Sequence, residues 1–170
     1  VPPGASSPIA GGDRNADGVP DFVVVGVDGV TPIDGATLAA GAALDCTPCD
    51  RAAVGWGEAL AAGDIDGDGR TDLVIGAPRF PSRGEVAGAV FAFLSPATVA
   101  FEVRASWPRS EAAIVRAIGD VDDDGRDELV RVGAEVVIIG ADGERPLTTA
   151  VAPGPEGVAF ADLDGDGGVD

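Results

Sequence analysis

The chain has 170 residues, of which 45% are hydrophobic, and its mean hydropathy of +0.21 excludes a chain that is disordered throughout. Its net charge is −18, from 29 acidic residues against 11 basic ones, all of them arginine, so we do not expect it to bind nucleic-acid phosphates. No apolar run reaches the roughly 18 residues that a membrane-spanning helix needs, which predicts no membrane span.

The N-terminal segment is rich in proline, serine and glycine. Residues 1–8 carry neither a basic region nor an apolar signal core, and the chain contains no methionine. We therefore expect either a processed chain or a fragment of a longer protein. Ile9 and Ala10 are predicted to end a strand just before the first of several acidic segments.

An acidic pattern of nine residues occurs four times along the chain. Acidic or amide side chains stand at positions one, three and five, glycine stands at position six, and an acidic residue stands at position nine. We call these segments loops 1 to 4. Their side chains at positions one, three, five and nine are Asp13, Asn15, Asp17 and Asp21; Asp64, Asp66, Asp68 and Asp72; Asp120, Asp122, Asp124 and Glu128; and Asp162, Asp164, Asp166 and Asp170.

Four copies in one register indicate metal-binding loops rather than ordinary Asp-Gly surface turns. Carboxylates two positions apart in a tight loop repel one another unless a cation lies between them, and the glycine permits the sharp turn. Calcium accepts six to eight oxygen ligands in a flexible geometry, whereas magnesium requires a stricter octahedron. With no histidine and two cysteines, the chain offers zinc or copper few ligands. We therefore predict about three to four bound Ca²⁺ ions.

A helix–loop–helix calcium site is the competing interpretation of these loops. That site needs an acidic residue at position twelve, but Val24, Ile75 and Arg131 occupy that position in loops 1 to 3. These residues belong to the strands that follow the loops. A nine-residue loop between strands is therefore favoured.

Short runs rich in valine and isoleucine surround the loops and predict strands joined by turns. After loop 1 we predict a strand over residues 22–25, a hairpin turn at residues 28–29 and a return strand from Val30. Residues 36–43 fit either a short helix or an irregular loop. A strand over residues 59–62 leads into loop 2, and residues 157–160 open the fourth unit. The other predicted strands are residues 73–75, 89–94, 98–103, 113–115, 129–132, 135–139 and 147–151.

The loops recur at intervals of roughly 40 to 55 residues with about four strands each, which is typical of β-propeller blades. We therefore predict an all-β fold of four-stranded antiparallel sheets with calcium-binding hairpin loops, in one segment over residues 1–170. Its units are predicted at about residues 1–53, 54–108, 109–152 and 153–170, the last one truncated. About three blades form an incomplete ring, since propellers close with roughly four to eight. We expect either a fragment or copies that join edge to edge.

Cys46 and Cys49 form a C-x-x-C motif. No βαβ pattern surrounds it, so a short structural disulfide in a surface loop is favoured over thioredoxin-like redox chemistry. A disulfide and calcium loops of moderate affinity both suit the calcium-rich exterior of cells. We therefore predict an extracellular or cell-surface protein.

The second unit resembles a known repeat family. Its run GWGEALAAGD from Gly55 to Asp64 is followed by LVIGAP and GAVF, and it is similar to the FG-GAP repeats of integrin alpha subunits and of many bacterial secreted proteins. The resemblance implies a propeller, usually of about seven blades, with calcium held between the first two strands of some blades. It also implies that the ion stiffens the blade edge and does no chemistry. The backbone carbonyl ligands that it implies at position seven are those of Val19, Arg70, Arg126 and Gly168.

Two classes of function fit these observations. The first is a calcium-binding extracellular structural, adhesion or binding module, with a protein or glycan ligand at the cell surface and with self-association through open blade edges. The alternative is the propeller part of a secreted carbohydrate-active enzyme or lectin, in which Trp56 and Trp107 would stack on sugar. Packing between blades is the favoured role of both tryptophans.

The residues that most enzymes use for acid–base or nucleophilic catalysis are scarce. The chain has no histidine, lysine, tyrosine or G-x-S-x-G motif, and no isolated carboxylate pair outside the loops. We therefore predict that the chain is not an enzyme.

Overall fold

The computed structural model describes residues 9–26, 29–46, 49–82, 85–86, 88–96, 101–103, 115–132, 136–140 and 143–147. Strands dominate these residues, and the helix among them is a single turn. The elements are β1 (Ile9–Gly12), β2 (Asp21–Gly26), β3 (Gly29–Ile33), α1 (Arg51–Val54), β4 (Ala59–Gly63), β5 (Asp72–Ala77), β6 (Pro81–Ser82), β7 (Glu85–Val86), β8 (Ala89–Phe93), β9 (Phe101–Val103), β10 (Val115–Gly119), β11 (Glu128–Val132), β12 (Val136–Gly140) and β13 (Gly143–Leu147).

Three antiparallel sheets follow one another along the chain. The first sheet has the order β1-β2-β3, the central sheet β4-β5-β8-β9 and the third sheet β10-β11-β12-β13, while β6 and β7 form a separate hairpin between β5 and β8. Up-and-down sheets of three or four strands in series are the arrangement of propeller blades. The predicted all-β, blade-like fold is confirmed, and the described residues form no closed ring.

The central sheet is buried on both faces because its side chains alternate between two hydrophobic clusters. Leu73 and Ile75 of β5 face the first sheet, and Val74 between them faces the third sheet. All six residues of β5 are buried. This explains why β5 reads as a continuous apolar run rather than as an alternating one.

The two faces differ in the size of their side chains. The cluster toward the first sheet contains Leu60, Leu73, Ile75, Phe91 and Phe93 of the central sheet, together with Val23, Val30 and Leu44. The cluster toward the third sheet contains Ala61, Val74, Val90 and Ala92 of the central sheet, together with Val115 and Leu129. The apolar residues of each strand thus join neighbouring sheets, as blades in a propeller require.

The first strands of the three sheets lie next to one another. β4 contacts β1 on one side and β10 on the other. Loops 1, 2 and 3 each connect a first strand to the second strand of its sheet. The packing of β1, β4 and β10 therefore brings the three acidic loops together at one end of the sheets.

Trp56 fills the space between the first and the central sheets. Its ring is 6% exposed and packs edge-on against Phe91 and Phe93, with centroid distances of 5.1 and 6.1 Å. Its indole Nε1–H donates to the carbonyl of Leu44 at 3.1 Å. The predicted packing of Trp56 between blades is confirmed, while Trp107 lies outside the described residues.

The predicted disulfide joins Cys46 to Cys49. It does not lie in an exposed loop, however: Cys46 is buried in the cluster with Trp56, and Cys49 packs against that cluster. The next residue, Asp50, caps the short helix α1 by accepting from the backbone N–H of Ala53. The disulfide therefore anchors the connection between the first two sheets.

The structure tests several local predictions. Of the two alternatives for residues 36–43, the irregular loop is the one observed: Ile33 pairs with Ala40 and Val30 with Leu44 in isolated bridges, which give the first sheet an irregular outer edge. Alanine and glycine give this segment no clear periodicity. The strand predicted to lead into loop 2, residues 59–62, is confirmed as part of β4. The strand predicted over residues 147–151 begins earlier, as β13, and residues 148–151 lie outside the described part.

The predicted units match the sheets in order. β1 to β3 fall within residues 1–53, β4 to β9 within 54–108 and β10 to β13 within 109–152. The boundaries themselves stay predictions. Residues 153–170, and with them loop 4, lie outside the described residues.

Candidate metal centre

Loops 1 to 3 share one backbone conformation. In each loop the residues at positions four and six adopt the left-handed region, which residues other than glycine seldom enter. The values of φ at position four are +60° at Ala16, +77° at Gly67 and +58° at Asp123, and at position six they are +83° at Gly18, +82° at Gly69 and +87° at Gly125. Glycine at position six therefore has the conformational role that the sequence predicts, and position four has the same requirement.

The aspartate at position one organises each turn. Its Oδ2 accepts from the backbone N–H at position six, at 2.8 Å in all three loops. The acceptors and their donors are Asp13 and Gly18, Asp64 and Gly69, and Asp120 and Gly125. Its Oδ1 accepts from the N–H at position five, at 3.0 to 3.2 Å. Because three copies make the same contacts, this aspartate holds the loop in a fixed shape.

The aspartate at position five closes the second half of the turn. Oδ1 of Asp17, Asp68 and Asp124 accepts from the backbone N–H at position seven, at 2.8 to 2.9 Å. The donors are Val19, Arg70 and Arg126. These are the residues whose carbonyls are predicted ligands, and that role stays a prediction.

The acid at position nine is buried at the start of the second strand. Asp21 is 6% exposed, and Asp72 and Glu128 are 0% exposed. One carboxylate oxygen of each accepts from the N–H at position two, at 3.1, 2.9 and 2.8 Å. The other oxygen of Asp21 accepts from the N–H of Gly35, two residues after β3, and that of Asp72 accepts from the N–H of Ser95, two residues after β8.

Glu128 is the exception in this series. Its Oε1 is buried without a hydrogen-bond partner, although a buried polar atom without a partner is costly and uncommon in folded proteins. A cation bound to that oxygen would remove the cost. The donor set of loop 3 therefore fits a metal ion.

Loops 2 and 3 each bring three carboxylates together. One oxygen from each of Asp64, Asp66 and Asp72 lies within 4.8 Å of the others, and the same holds for Asp120, Asp122 and Glu128. In both groups position three is exposed and position nine is buried. Such a group can bind one cation from the end of the sheet, with a buried ligand on one side and water on the other.

Burial raises the pKa of both Asp72 and Glu128, and the other carboxylates of the same loop raise it further. Backbone N–H donors act in the opposite direction. Without a cation, therefore, the negative charge at position nine is unfavourable. A bound cation would offset both causes.

Loop 1 keeps the backbone but differs in its side chains. At position three, the Asn15 amide donates to Asp17 at 3.1 Å and to Asp34 at 3.0 Å. At position two, Arg14 replaces the apolar residues Ile65 and Val121 of the other loops. Among the described residues, loop 1 does not form a group of three carboxylates like those of loops 2 and 3.

Arg14 brings a positive charge to the position-nine acids. Burial lowers its pKa, and the charges of Asp21 and Asp72 act in the opposite direction. Its Nε is buried without a hydrogen-bond partner. The guanidinium thus supplies to loop 1 part of the positive charge that a cation would supply.

Two acidic residues outside the predicted set support the loops. Asp34 accepts from the N–H and the hydroxyl of Thr37 as well as from Asn15, and these hydrogen bonds lower its pKa. Asp127, at position eight of loop 3, accepts from the N–H of Asp64 in loop 2. The sequence shows both as acidic residues near a loop, but it contains no spacing rule that predicts either contact.

Among the residues that the structure describes, none belongs to a helix long and apolar enough to cross a membrane. The FG-GAP repeat family matches residues 56–93, which contain loop 2 and most of the central sheet. Integrin alpha-3 of Cricetulus griseus and integrin alpha-3 of Mus musculus are each 37% identical to this chain over 86 residues. That alignment covers 46% of this chain and 8% of each relative, so the chain spans less than a tenth of the length of these relatives. Residues 56–93 of the chain therefore match an FG-GAP repeat, and about half of the chain is similar in sequence to integrin alpha-3.

Proposed function

We propose that this chain is a calcium-binding extracellular module of FG-GAP repeats that binds a protein ligand and does no catalysis. The observation that supports calcium binding best is Glu128, a fully buried carboxylate with one oxygen that has no hydrogen-bond partner. Glu128 also contributes one carboxylate oxygen to a group with Asp120 and Asp122. A cation at this point satisfies the oxygen and neutralises the repulsion within the group.

The ligand chemistry favours calcium over other cations. Both groups of carboxylates contain oxygen donors alone, and Cys46 and Cys49 are joined to each other, which leaves no thiolate for zinc. Calcium also tolerates the unequal surroundings of one buried and one exposed carboxylate better than magnesium does. We assign the stronger sites to loops 2 and 3 and a weaker one to loop 1, with loop 4 as a predicted fourth.

The ion has a structural role in this proposal. In loop 2, Asp64 follows the last residue of β4 and Asp72 begins β5, so one ion binds the ends of two neighbouring strands. Loop 3 repeats the arrangement between β10 and β11. Calcium thereby stiffens the end of each sheet.

The relatives and the disulfide support the partner and the location that we propose. The similar proteins are integrin alpha subunits, and a disulfide between Cys46 and Cys49 suits an oxidising compartment. A protein ligand at the cell surface is the partner class that we propose. The alternative of a lectin or a carbohydrate-active propeller loses support from Trp56, since its buried ring cannot stack on a sugar.

Calorimetric titration of the chelator-treated protein with calcium tests this function. Glu128→Gln keeps the shape of the side chain but removes its charge, and it should abolish one site. Asp123→Asn removes a charge from an exposed position of the same loop and should leave the number of ions unchanged, since asparagine tolerates the left-handed conformation there. Absence of binding up to several millimolar calcium would overturn the proposal.

A further inference from the structure

Neighbouring loops are joined by a hydrogen bond that repeats along the chain. The backbone N–H of Thr71, at position eight of loop 2, donates to the carbonyl of Asp13, at position one of loop 1, at 2.9 Å. The N–H of Asp127, at position eight of loop 3, donates to the carbonyl of Asp64 at 2.7 Å. The residue that organises each turn is thus held by the loop of the next sheet.

Loops 2 and 3 have a second, reciprocal contact. Oδ2 of Asp127 accepts from the backbone N–H of Asp64 at 2.8 Å, so both backbone groups of Asp64 are bonded to one residue of loop 3. Asp127 is half-buried and belongs to neither group of three carboxylates. Its side chain acts on the neighbouring site and not on its own.

The loop backbones also touch. A Cβ at Gly67 would lie 2.9 Å from the carbonyl oxygen of Gly125, and a Cβ at Gly63 would lie 2.6 Å from Oδ2 of Asp127. The backbone carbonyl of Gly125 cannot easily move away from a Cβ at Gly67, whereas the Asp127 side chain would have to shift away from one at Gly63. Loop 2 and loop 3 are therefore in direct contact where Gly67 faces Gly125.

We infer that Asp127 is a positioning residue for the cation site of loop 2, and that cation binding to loops 2 and 3 is positively coupled. This inference rests on the proposed calcium binding. A cation in loop 3 orders the segment from Asp120 to Glu128 and fixes Asp127, which in turn fixes Asp64 before loop 2 binds. The first ion thus already provides part of the conformational order that the second site needs, so the second ion binds with a smaller entropy loss. By thermodynamic linkage, each ion raises the affinity of the other site by the same factor.

The two sites can be observed separately by nuclear magnetic resonance. The amide N–H groups of Gly69 and Gly125 each donate to the first aspartate of their own loop at 2.8 Å. Their signals therefore report calcium binding to loop 2 and loop 3 in one titration of the full chain. The metal alone is the probe.

Asp127→Ala and Asp127→Asn separate positioning from charge. The alanine variant removes the acceptor for the Asp64 N–H, and we expect the calcium affinity of loop 2 to fall roughly tenfold while Gly125 still titrates, which shows that loop 3 is folded. The asparagine variant keeps an oxygen acceptor and should retain most of the affinity, like the charge-matched control Asp123→Asn. Equal losses in the alanine and asparagine variants would overturn the positioning role.

Asp122→Ala tests the coupling itself, because it removes a proposed ligand of loop 3 and leaves Asp127 in place. Positive coupling predicts that the calcium affinity of loop 2 falls by roughly fivefold or more, and unchanged Gly69 titration would overturn it. The proposed function fails in a different way, since the wild-type amides of Gly69 and Gly125 would then not respond to calcium at all.

Discussion

Loop 1 and loop 2 have the same backbone and different side chains around the candidate ion site. Both turn through left-handed residues at positions four and six, and both have a first aspartate that accepts from the glycine N–H at 2.8 Å. Loop 2 then presents three carboxylates to one point, whereas loop 1 has Arg14 and Asn15 near its acids. The comparison shows that the turn is specified by glycine and one aspartate, and that the number of carboxylates at the candidate ion site is specified separately by the remaining positions.

Calcium removal should have the largest effect. At a calcium concentration of about a hundred times Kd, each site adds about 2.7 kcal/mol to the free energy of unfolding, so loops 2 and 3 together should raise Tm by roughly 10 to 20 °C. Thermal unfolding in calcium and in chelator measures this difference. Identical melting temperatures would contradict it.

Removal of one buried acid should distinguish the loops. Asp72→Asn should cost about 2.7 kcal/mol of the calcium-dependent stability, while Asp21→Asn should cost less than half as much, since loop 1 does not form a group of three carboxylates among the described residues. In chelator, Asp72→Asn removes a buried charge but also places an NH2 group against one of the N–H donors of Ile65 and Ser95, so we expect the two effects to oppose each other and the net loss to be smaller than in calcium. Denaturation of both variants with and without calcium tests the comparison, and equal losses would refute it.

The conversion of loop 1 into a copy of loop 2 sharpens the same comparison. Arg14→Ile together with Asn15→Asp removes the competing positive charge and supplies a carboxylate at position three. We expect the calcium affinity of loop 1 to rise roughly tenfold or more, because the number of charged oxygen ligands determines the affinity of such sites. The amide signal of Gly18 reports this site, and an unchanged titration would show that other residues limit the affinity.

The pH dependence of the chelated protein should reflect Asp72 and Glu128. Because burial raises the pKa of both, their folded forms hold a proton more tightly than the unfolded chain does. Their contribution to stability is then fully present below the unfolded values of about 4 and is lost as pH rises through the folded pKa. Chemical denaturation between roughly pH 4.5 and pH 7 should show this fall, and Asp72→Asn with Glu128→Gln should reduce it.

The smallest expected effect concerns position four. Ala16 adopts φ +60°, so Ala16→Gly should stabilise the chelated protein by about 0.5 to 1 kcal/mol. Gly67→Ala introduces the reverse strain and also a clash with the carbonyl of Gly125, so it should cost more than about 1 kcal/mol. Urea denaturation measures both changes, and a destabilised Ala16→Gly variant would contradict the argument.

The sequence predicts the part of the site that is local. The spacing of Asp64, Gly69 and Asp72 follows from the turn that those residues form among themselves, and the apolar run after Asp72 marks the strand that buries it. For these reasons the loops, most strands and the blade architecture can be read without a structure.

Contacts between loops could not be predicted in this way. Asp127 stands in loop 3 as one more acid in a rich acidic background, and its contact with Asp64 depends on how β4 packs beside β10. The role of Arg14 depends in the same way on the distance between two sheets. Both contacts join residues that are far apart in the sequence, and no spacing pattern in the sequence indicates such contacts.

The hairpin of β6 and β7 lies at the end of the central sheet opposite loop 2, because it joins β5 to β8 where the acidic loop joins β4 to β5. The six residues of β5 separate the two ends by about 20 Å. Insertions or substitutions in the hairpin can therefore accumulate over evolution without disturbing the acidic end. This separation allows the surface at the hairpin end of the sheet to vary while the acidic loops at the other end stay unchanged.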